Sequence, residues 1–331
     1  MGLILVTGAG GFIGGHLIRH LVERGLAVRA VDCKPFENWI LRSSGAENLV
    51  HDLAEKDACY RVMKDVETVY NFAADMGGMG FIENNKAACM LSVLINTHLL
   101  MAARDSGTAR FLFASSACVY PDYRQADTEV CGLRESDAYP AMPEDGYGWE
   151  KLFSERMCRH FREDFGLQTR IARYHNIYGP LAAWDGGREK APAAIARKVA
   201  IAAITGHHEI EIWGDGQQVR SFTFIDDCLR GTELLMQSDF AEPLNIGSDE
   251  MVSINQLVDI VEAIAGVKLA RRYDLDAPKG VRGRNSDNTL VSRVLGWAPT
   301  TPLQRGMETT YAWVYDQVKE RAERLAMAAA A

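Results

Sequence analysis

A glycine-rich turn between an apolar strand and a helix constrains the fold of this 331-residue chain most strongly. The run Leu3–Val6 is fully apolar, as expected for a central strand of a parallel sheet. Gly8, Gly11 and Gly14 follow it, and a helical pattern of apolar residues starts at Ile13. Glycines at such a junction allow a tight turn and a close approach of the backbone to a pyrophosphate at the helix N-terminus. The stretch therefore predicts a dinucleotide site, with a purely structural turn as the alternative.

Two acids extend this prediction. Asp32 ends the second apolar strand, about 20 residues after the glycines, where an acid accepts the ribose hydroxyls of NAD and repels the 2′-phosphate of NADP. Lys34 slightly weakens the argument against NADP. Asp52 lies at the exit of a predicted third strand, residues 48–53, and is either an adenine contact or a helix N-cap. We predict NAD as the cofactor.

The alternation of strands and helices continues as far as Arg173, which is typical of an α/β chain with a Rossmann-like doubly wound parallel sheet. Further strands are predicted at residues 67–72, 110–114 and 167–172, and helices at 85–106 and 145–165. Beyond Arg173, a loop at 174–180 is followed by short strands and helices. We predict an NAD-binding domain at 1–173 and a smaller mixed α/β domain at 174–331 that mainly binds substrate, with a chain that can cross back between them.

Composition restricts the partners. The formal net charge of −8 argues against nucleic-acid binding. The hydrophobic content of 47% is that of a soluble globular protein, and we find no apolar run near the ~20 residues that cross a bilayer, so no membrane partner is expected. The seven cysteines are odd in number and form no C-x-x-C pair, which is typical of a reducing cytoplasm.

A tyrosine and a lysine form a candidate acid–base pair. Tyr147 and Lys151 are four residues apart, so they share one face of a helix. An ammonium beside a phenol lowers its pKa and makes it a usable general base. Ser116, at the end of the predicted fifth strand, offers a hydroxyl partner. Without a cofactor site upstream, such a spacing would more often be a solvated helix face.

Basic residues are concentrated in the second half of the chain. They form either a solvated helix end or an anion site, because Arg and Lys bind phosphates well. The residues concerned are Arg188, Lys190, Arg197 and Lys198 around one helix start, and the glycine-flanked Arg220, Arg282 and Arg284. His175 has no partner at metal-ligand spacing, so we assign it a structural role and predict no metal site.

Longer strings carry a resemblance to a known family. Gly8, Gly11, Gly14, Asp32, Ser116 and Tyr147-x3-Lys151 resemble the extended short-chain dehydrogenase/reductases. The strings at residues 74–82, 115–118, 186–194, 213–216, 220–224, 245–250 and 281–287 resemble, in that order, the GDP-mannose 3,5-epimerases within that superfamily. The similarity runs from about Leu3 to Gln317. Trp149, inside the Tyr-x3-Lys turn, and the segment 200–208 depart from the pattern.

The resemblance implies a nucleotide-sugar epimerase with tightly held NAD. Tyr147, with Ser116 and Lys151, would take the proton of the hydroxyl at carbon 4 of the mannose ring, and the resulting ketone would acidify carbons 3 and 5. Cys118 and Lys190 would move protons on opposite ring faces, giving GDP-L-galactose, or GDP-L-gulose if only carbon 5 inverts. A thiol beside a cation is expected to have a lowered pKa.

The implied binding residues form two sets. The cofactor set comprises Gly8, Gly11, Phe12, Ile13, Gly14, Asp32, Asp52, Tyr147 and Lys151. The substrate set comprises Gly77, Ser116, Asn176, Glu189, Lys190, Lys198, Gln218, Arg220 and Arg284, of which Lys198, Arg220 and Arg284 would meet the diphosphate. Relatives are commonly dimers through the helices near residues 85–106 and 145–165, so the resemblance also implies a homodimer.

Two alternatives stay open from the sequence. The first is another NAD-dependent nucleotide-sugar enzyme, a 4-epimerase or a 4,6-dehydratase; a dehydratase should carry an acidic pair after the fifth strand, where Ala117-Cys118 stands. The second is a non-catalytic NAD-binding regulator, which would usually have lost Tyr147 or Lys151.

Overall fold

Fourteen strands and ten helices make up the part of the chain that the computed structural model describes, residues 2–129, 131–278 and 280–330. The strands are β1 (Leu3–Thr7), β2 (Val28–Asp32), β3 (Glu47–Val50), β4 (Val66–Asn71), β5 (Arg110–Ser116), β6 (Gln168–Tyr174), β7 (Ile177–Tyr178), β8 (Glu209–Trp213), β9 (Val219–Ser221), β10 (Thr223–Phe224), β11 (Pro243–Ile246), β12 (Met251–Ser253), β13 (Ala270–Asp274) and β14 (Gly283–Arg284). The helices are α1 (Phe12–Glu23), α2 (Lys56–Val62), α3 (Met79–Asn84), α4 (Lys86–Asp105), α5 (Tyr147–Phe165), α6 (Ala191–Thr205), α7 (Ile225–Gln237), α8 (Ile254–Ala265), α9 (Thr289–Leu295) and α10 (Leu303–Ala330).

Seven parallel strands form the main sheet, in the order β11-β6-β5-β4-β1-β2-β3. The predicted Rossmann-like doubly wound sheet is confirmed. Its strand order reverses between β1 and β4, and in such sheets ligands bind at the carboxyl ends of the strands beside that point. The glycine turn after β1 and the Ser116 end of β5 both lie at this edge.

Apolar layers cover both faces of the sheet. On one face, Leu17 and Leu21 of α1 belong to the same core as residues of α6, α7, α8 and α10. On the other face, Leu99 of α4 and Phe161 of α5 pack with Val69 and Phe111 of the sheet. Strands buried on both faces explain the near-continuous apolar runs from which the sheet was predicted.

The chain returns to the main sheet after leaving it. β11 pairs with β6, with Asn245 opposite Arg173. The strand at the sheet edge therefore comes from residues 243–246, inside the segment assigned to substrate binding. The division into residues 1–173 and 174–331 stays a prediction.

Three small sheets carry the second half of the site. The order β12-β9-β14 is the one that matters most for chemistry, because the parallel pairing of β9 with β14 sets Arg220 opposite Arg284. These two residues lie far apart in sequence, and the local sequence pattern predicts each of them only as a separate loop residue. Strand pairing brings them to one wall.

Local boundaries differ from the sequence prediction in three places. β3 ends at Val50, so residues 51–53 follow the strand and do not belong to it. The glycine loop after β4 contains a helical turn, α3, that the sequence did not predict. The predicted loop at 174–180 contains the two-residue strand β7, which pairs with β10 through Ile177 and Thr223.

Helix α4 is long and apolar enough to cross a membrane by length and composition alone, with 20 residues and a mean hydropathy of 1.4 over an 18-residue window. The prediction that no stretch of the chain approaches a membrane span is wrong by this measure. The helix packs against the sheet through Leu99 and Leu100, as core helices of globular proteins do. Its length and hydropathy are therefore weak support for a membrane span.

Candidate active site

The glycine turn is built so that its backbone lies open toward a ligand. Gly8 has φ +65°, and a Cβ there would lie 2.8 Å from the Phe72 carbonyl oxygen. A Cβ on Gly14 would lie 2.3 Å from the Gly8 oxygen, so side chains are excluded at both positions. Gly11 is the N-cap of α1 and brings no capping side chain, and Phe12 and Ile13 form the first turn. The backbone N–H groups of that turn are left for an anionic ligand such as a pyrophosphate.

Asp32 lies where a ribose acceptor is needed. It is buried at the end of β2, and its carboxylate accepts hydrogen bonds from Gly10 N at 2.9 Å and Lys34 N at 3.0 Å. These bonds fix the carboxylate beside the glycine turn and leave lone pairs on both oxygens. The turn and Asp32 together fit a bound NAD.

Asp52 is exposed, and its Oδ1 accepts from Ala54 N at 2.9 Å. The N-cap of α2 is Glu55, so the alternative that Asp52 caps this helix is wrong. A contact with adenine stays a prediction.

Tyr147 and Lys151 lie in the first turns of α5, both buried. Lys151 Nζ is 5.4 Å from the centroid of the Tyr147 ring and 4.8 Å from that of Phe113. Burial raises the pKa of Tyr147 well above its usual value, and the charges of Cys118 and Glu150 raise it further. A hydrogen bond with Ser116 favours the phenolate and opposes this shift. The expected lowering of this pKa is therefore wrong for the protein by itself, because the cost of desolvating the phenolate is the largest contribution.

Cys118 lies in a 3-10 turn (Ala117–Val119) directly after β5, and its N–H donates to the Ser116 hydroxyl at 3.2 Å. Arg284 donates from Nη1 to the Cys118 sulfur at 3.3 Å. Burial and then the charge of Glu144 raise the pKa of Cys118 to about 11, against the opposing effect of Arg284. The lowered thiol pKa expected from the sequence is wrong, for the same reason of desolvation.

Lys190 lines the same cavity as Cys118 and comes from the second half of the chain. It is the N-cap of α6, and Gly186 and Gly187 before it take φ values of +91° and +84°. Burial lowers the pKa of Lys190, and the charge of Cys118 opposes that shift. Burial thus favours the neutral form of both groups, a thiol that can donate a proton and an amine that can accept one.

A cavity of about 260 Å³ joins these groups. All nine residues predicted to bind substrate line it: Gly77, Ser116, Asn176, Glu189, Lys190, Lys198, Gln218, Arg220 and Arg284. Cys118 and Tyr147 line it as well. The structure therefore places the predicted substrate residues together, and their individual roles stay predictions.

Cations concentrate at one part of the cavity wall. Burial, followed by the charge of Arg284, lowers the pKa of Arg220 to about 9. Lys198 Nζ donates to the Glu211 carbonyl at 2.8 Å. Two guanidiniums held side by side in a buried wall repel each other, so an anion between them is stabilised. This wall suits a diphosphate.

Several predicted basic residues lie elsewhere. Arg188 is half exposed and pairs with Asp75 at 2.8 Å, and Arg282 pairs with Asp215 at 2.9 Å; neither lines the cavity. Arg197 does line it, but donates to Glu189 at 3.0 Å and so orients that carboxylate. The basic cluster predicted around the start of α6 is therefore divided: Lys190, Arg197 and Lys198 line the cavity, and Arg188 forms a surface ion pair.

Polar groups on the cavity wall are held by the backbone. Asn176 takes φ +44° and donates to the Ser221 carbonyl at 2.9 Å. Gln218 donates to the Trp213 carbonyl at 2.8 Å, while its buried Oε1 has no hydrogen-bond partner within the described residues. A buried amide oxygen without a partner is costly, so a ligand N–H or O–H would be stabilising there.

His175 is buried away from the cavity chemistry. Its Nε2 pairs with Asn245 Oδ1 at 2.9 Å, and burial lowers its pKa to about 3, so the ring is neutral. Over the described ranges, no group of three or more His, Cys, Asp or Glu side chains is placed to hold a metal ion.

Sequence reasoning missed part of the site. Trp213, Ile212, Phe222 and Ile254 line the cavity from the second half of the chain. Their apolar character is indistinguishable in sequence from that of core residues.

These features define a nucleotide-sugar enzyme built on a Rossmann-type sheet. The model of the NAD dependent epimerase/dehydratase family matches residues 4–247, and the chain belongs to that family. Among its relatives, GDP-mannose 3,5-epimerase of Arabidopsis thaliana is 48% identical over 97% of this chain and 84% of its own length. GDP-mannose 3,5-epimerase 1 of Oryza sativa subsp. indica is 49% identical over 96% and 82%, respectively.

Solved structures agree on the fold and the cofactor. UDP-glucose 4-epimerase of Thermotoga maritima, with UDP-glucose, superposes with a TM-score of 0.86 at 25% identity, covering 96% of this chain and 99% of that one. UDP-glucuronic acid 4-epimerase of Bacillus cereus, with UDP-glucuronic acid and NAD, gives 0.82 at 25% identity, covering 95% and 99%.

Proposed function

We propose that this chain is an NAD-dependent GDP-mannose 3,5-epimerase, as its similarity to the plant enzymes indicates. The observation that carries the proposal is the presence of Cys118 and Lys190 in the same cavity as Tyr147 and Ser116. Oxidation at carbon 4 needs only the tyrosine pair. A second pair of proton-moving groups has a use when neighbouring carbons are inverted.

The residues divide the chemistry between them. NAD, when bound, accepts the hydride of carbon 4 and later returns it. Tyr147 takes the proton of the carbon-4 hydroxyl, and the ketone then makes the hydrogens on carbons 3 and 5 acidic. Cys118 and Lys190 remove a proton on one ring face and add one on the other. Inversion at both carbons yields GDP-L-galactose, and inversion at carbon 5 alone yields GDP-L-gulose.

The electrostatics of the pair suit this exchange. The pKa of Cys118 rises to about 11, while that of Lys190 falls. Burial therefore favours a neutral thiol, which can act as an acid, and a neutral amine, which can act as a base. Each carbon can then be protonated from the face opposite to that from which it lost its proton.

Alternative functions find less support in the site. A 4,6-dehydratase would need acids where Ala117 and Cys118 stand, and a 4-epimerase has no use for Cys118 and Lys190 in the cavity. The two solved 4-epimerases named above are 25% identical to this chain, against 48% for the Arabidopsis epimerase. Because Tyr147 and Lys151 are both in place, a catalytically silent regulator is the least supported alternative.

The purified protein incubated with GDP-mannose in deuterated water is expected to place deuterium at carbons 3 and 5 of the sugar. The physical reason is that each inversion exchanges one carbon-bound proton with a group that equilibrates with solvent. Product NMR measures the position of the label and the ratio of the two inverted sugars. Label at neither carbon, with carbon 4 inverted or water eliminated, would assign the chain to one of the alternative activities.

We also propose a homodimer through α4 and α5. Five large apolar side chains are exposed on adjacent faces of these two helices: Met90, Leu91, Leu94, Trp149 and Phe153. Their spacing of three and four residues puts them on one stripe of each helix. Such an apolar patch suits a second copy of the same surface. Trp149, which departs from the family pattern, would then lie in the dimer interface.

Sedimentation of the wild-type protein is expected to give a dimer, and Phe153→Arg is expected to shift it toward monomer because a charge would be buried in the interface. Analytical ultracentrifugation without detergent measures both. Leu325→Arg is the matched control, since Leu325 is equally large and exposed but lies on α10. A wild-type monomer, or a Phe153→Arg dimer as stable as the control, would contradict this interface.

A cytoplasmic location is proposed from the cysteines. All seven are free thiols, and Cys33 and Cys131 are exposed. Exposed free thiols persist in a reducing compartment. Fractionation of the source cells tests the assignment.

A further inference from the structure

A buried carboxylate stands directly beside the catalytic lysine. The side chain of Glu150 is 1% exposed and that of Lys151 is 3% exposed, and Glu150 Oε2 lies 3.3 Å from Lys151 Nζ. Glu150 occupies a position where the sequence alone suggests an ordinary charged residue of a helix surface. The helix instead turns it inward, one turn after Tyr147.

Local contacts hold Glu150 in place. Its Oε1 accepts a hydrogen bond from the Ser154 hydroxyl at 2.9 Å, one turn further along α5. Its Oε2 has no hydrogen-bond partner among the residues described, so Lys151 is the neighbour that compensates its charge. A buried charge without a partner is strongly destabilising, and the pair therefore acts as a unit.

The pair of Glu150 and Lys151 changes the electrostatic environment of Tyr147. Burial is the main reason that the pKa of Tyr147 is raised, and the charges of Cys118 and Glu150 come next. An isolated ammonium of Lys151 would favour the phenolate, whereas an ammonium neutralised by a carboxylate favours it much less. Five titratable groups face Tyr147 or Glu150. They are Cys118, Glu144 and Lys151 around the cavity, Cys89 from α4 and Cys158 from α5.

We propose that Glu150 is a positioning residue that holds Lys151 and offsets its charge, so that Tyr147 keeps the proton it takes from the substrate. This inference rests on the proposed function. When the carbon-4 hydroxyl is oxidised, its proton moves to the Tyr147 oxygen and its hydride leaves carbon 4, which leaves a ketone beside a neutral phenol. When the step starts from the phenolate form of Tyr147, a greater proton affinity of that oxygen favours the transfer and with it the ketone state, which persists while carbons 3 and 5 are inverted.

The inference is tested first without substrate. Glu150→Gln in the NAD-loaded protein is expected to lower the pH at which Tyr147 ionises by about one unit, the size of effect that one neighbouring charge has at such a site. The ultraviolet absorbance of the phenolate measures it, with the Tyr147 signal isolated by subtracting the Tyr147→Phe protein in each background. An unchanged midpoint, or one shifted to higher pH, would overturn the proposal.

Matched variants separate charge from structure. Glu163→Gln makes the same change at an exposed position of the same helix and is expected to leave the midpoint where it is. Glu150→Asp keeps the charge and is expected to restore most of the wild-type midpoint. Ser154→Ala keeps the carboxylate, removes its hydrogen bond and is expected to leave the midpoint near the wild-type value. Glu150→Met, of similar length and without charge, is the fallback if Glu150→Gln does not fold: a lowered midpoint supports the proposal, and an unchanged one contradicts it.

A second measurement uses GDP-mannose. Glu150→Gln is expected to show several-fold less reduced cofactor at steady state than the wild-type protein, because the ketone state is less favoured. Equal amounts in the two proteins would overturn the role in prolonging that state. If the wild-type protein does not act on GDP-mannose at all, the proposed function fails, while the substrate-free titration still decides whether Glu150 sets the ionisation of Tyr147.

Discussion

Cys118→Ser is expected to stop inversion at carbons 3 and 5, with a loss of roughly 10²–10⁴-fold, the range that one acid–base group contributes. A serine hydroxyl has nearly the size of the thiol but is a far weaker acid, so it cannot form the anion that removes a carbon-bound proton. Oxidation at carbon 4 depends on Tyr147 and should continue. The measurements are product NMR for inversion and the absorbance of the reduced cofactor for oxidation.

Cys89→Ser is the matched control for this variant. Cys89 is buried in the same apolar cluster as Cys118 and Tyr147, but it does not line the cavity. It should retain inversion near the wild-type rate. Inversion at the wild-type rate in Cys118→Ser would remove the thiol from the mechanism, and a loss of NAD binding would show that the substitution had disturbed the fold.

Lys190→Ala is expected to reduce inversion by a similar factor. The incorporation of deuterium from solvent into unreacted GDP-mannose should distinguish it from Cys118→Ser. When a proton can be removed and returned on one face only, the carbon exchanges with solvent but keeps its configuration. One of the two variants, Cys118→Ser or Lys190→Ala, should therefore place deuterium in unreacted GDP-mannose, and the double variant should place none. The variant that exchanges without inverting identifies the base as the residue that it retains.

Lys198→Ala provides the contrast for Lys190→Ala. Both lysines line the cavity, and burial lowers the pKa of both. Lys198 lines the cavity and is predicted to meet the diphosphate, so its loss should raise KM while inversion and exchange stay coupled. Inversion that continues in Lys190→Ala at the Lys198→Ala rate would show that Lys190 binds the substrate without moving protons.

The cofactor half of the site could be predicted from sequence because its requirements are local. Gly8 and Gly14 are needed for one turn, since a side chain at either would collide with backbone atoms a few ångströms away. Asp32 follows at the end of the next strand and touches the same turn through Gly10. Patterns within about 30 residues fix such geometry, because neighbouring parts of the chain determine it.

The residues of the substrate half were predicted by resemblance, but the directions of the pKa shifts in the site were not predicted correctly. Arg284 lies 166 residues from Cys118 in sequence yet donates to its sulfur. The sequence suggested that a nearby cation would lower the pKa of this thiol and that Lys151 would lower that of Tyr147. Burial reverses both shifts. The degree of burial depends on contacts across the whole fold, which no local pattern contains.

The amino-acid sequence by itself determined the doubly wound sheet and the NAD turn, because apolar periodicity and glycine placement act over short distances along the chain, and its resemblance to a known family supplied the list of reactive residues. The tertiary structure alone decided which cations share a wall, since pairing of β9 with β14 sets Arg220 beside Arg284. It also decided that Glu150 faces inward against Lys151. Proton affinities at the site follow from that packing, because the cost of a charge depends on what surrounds it after folding.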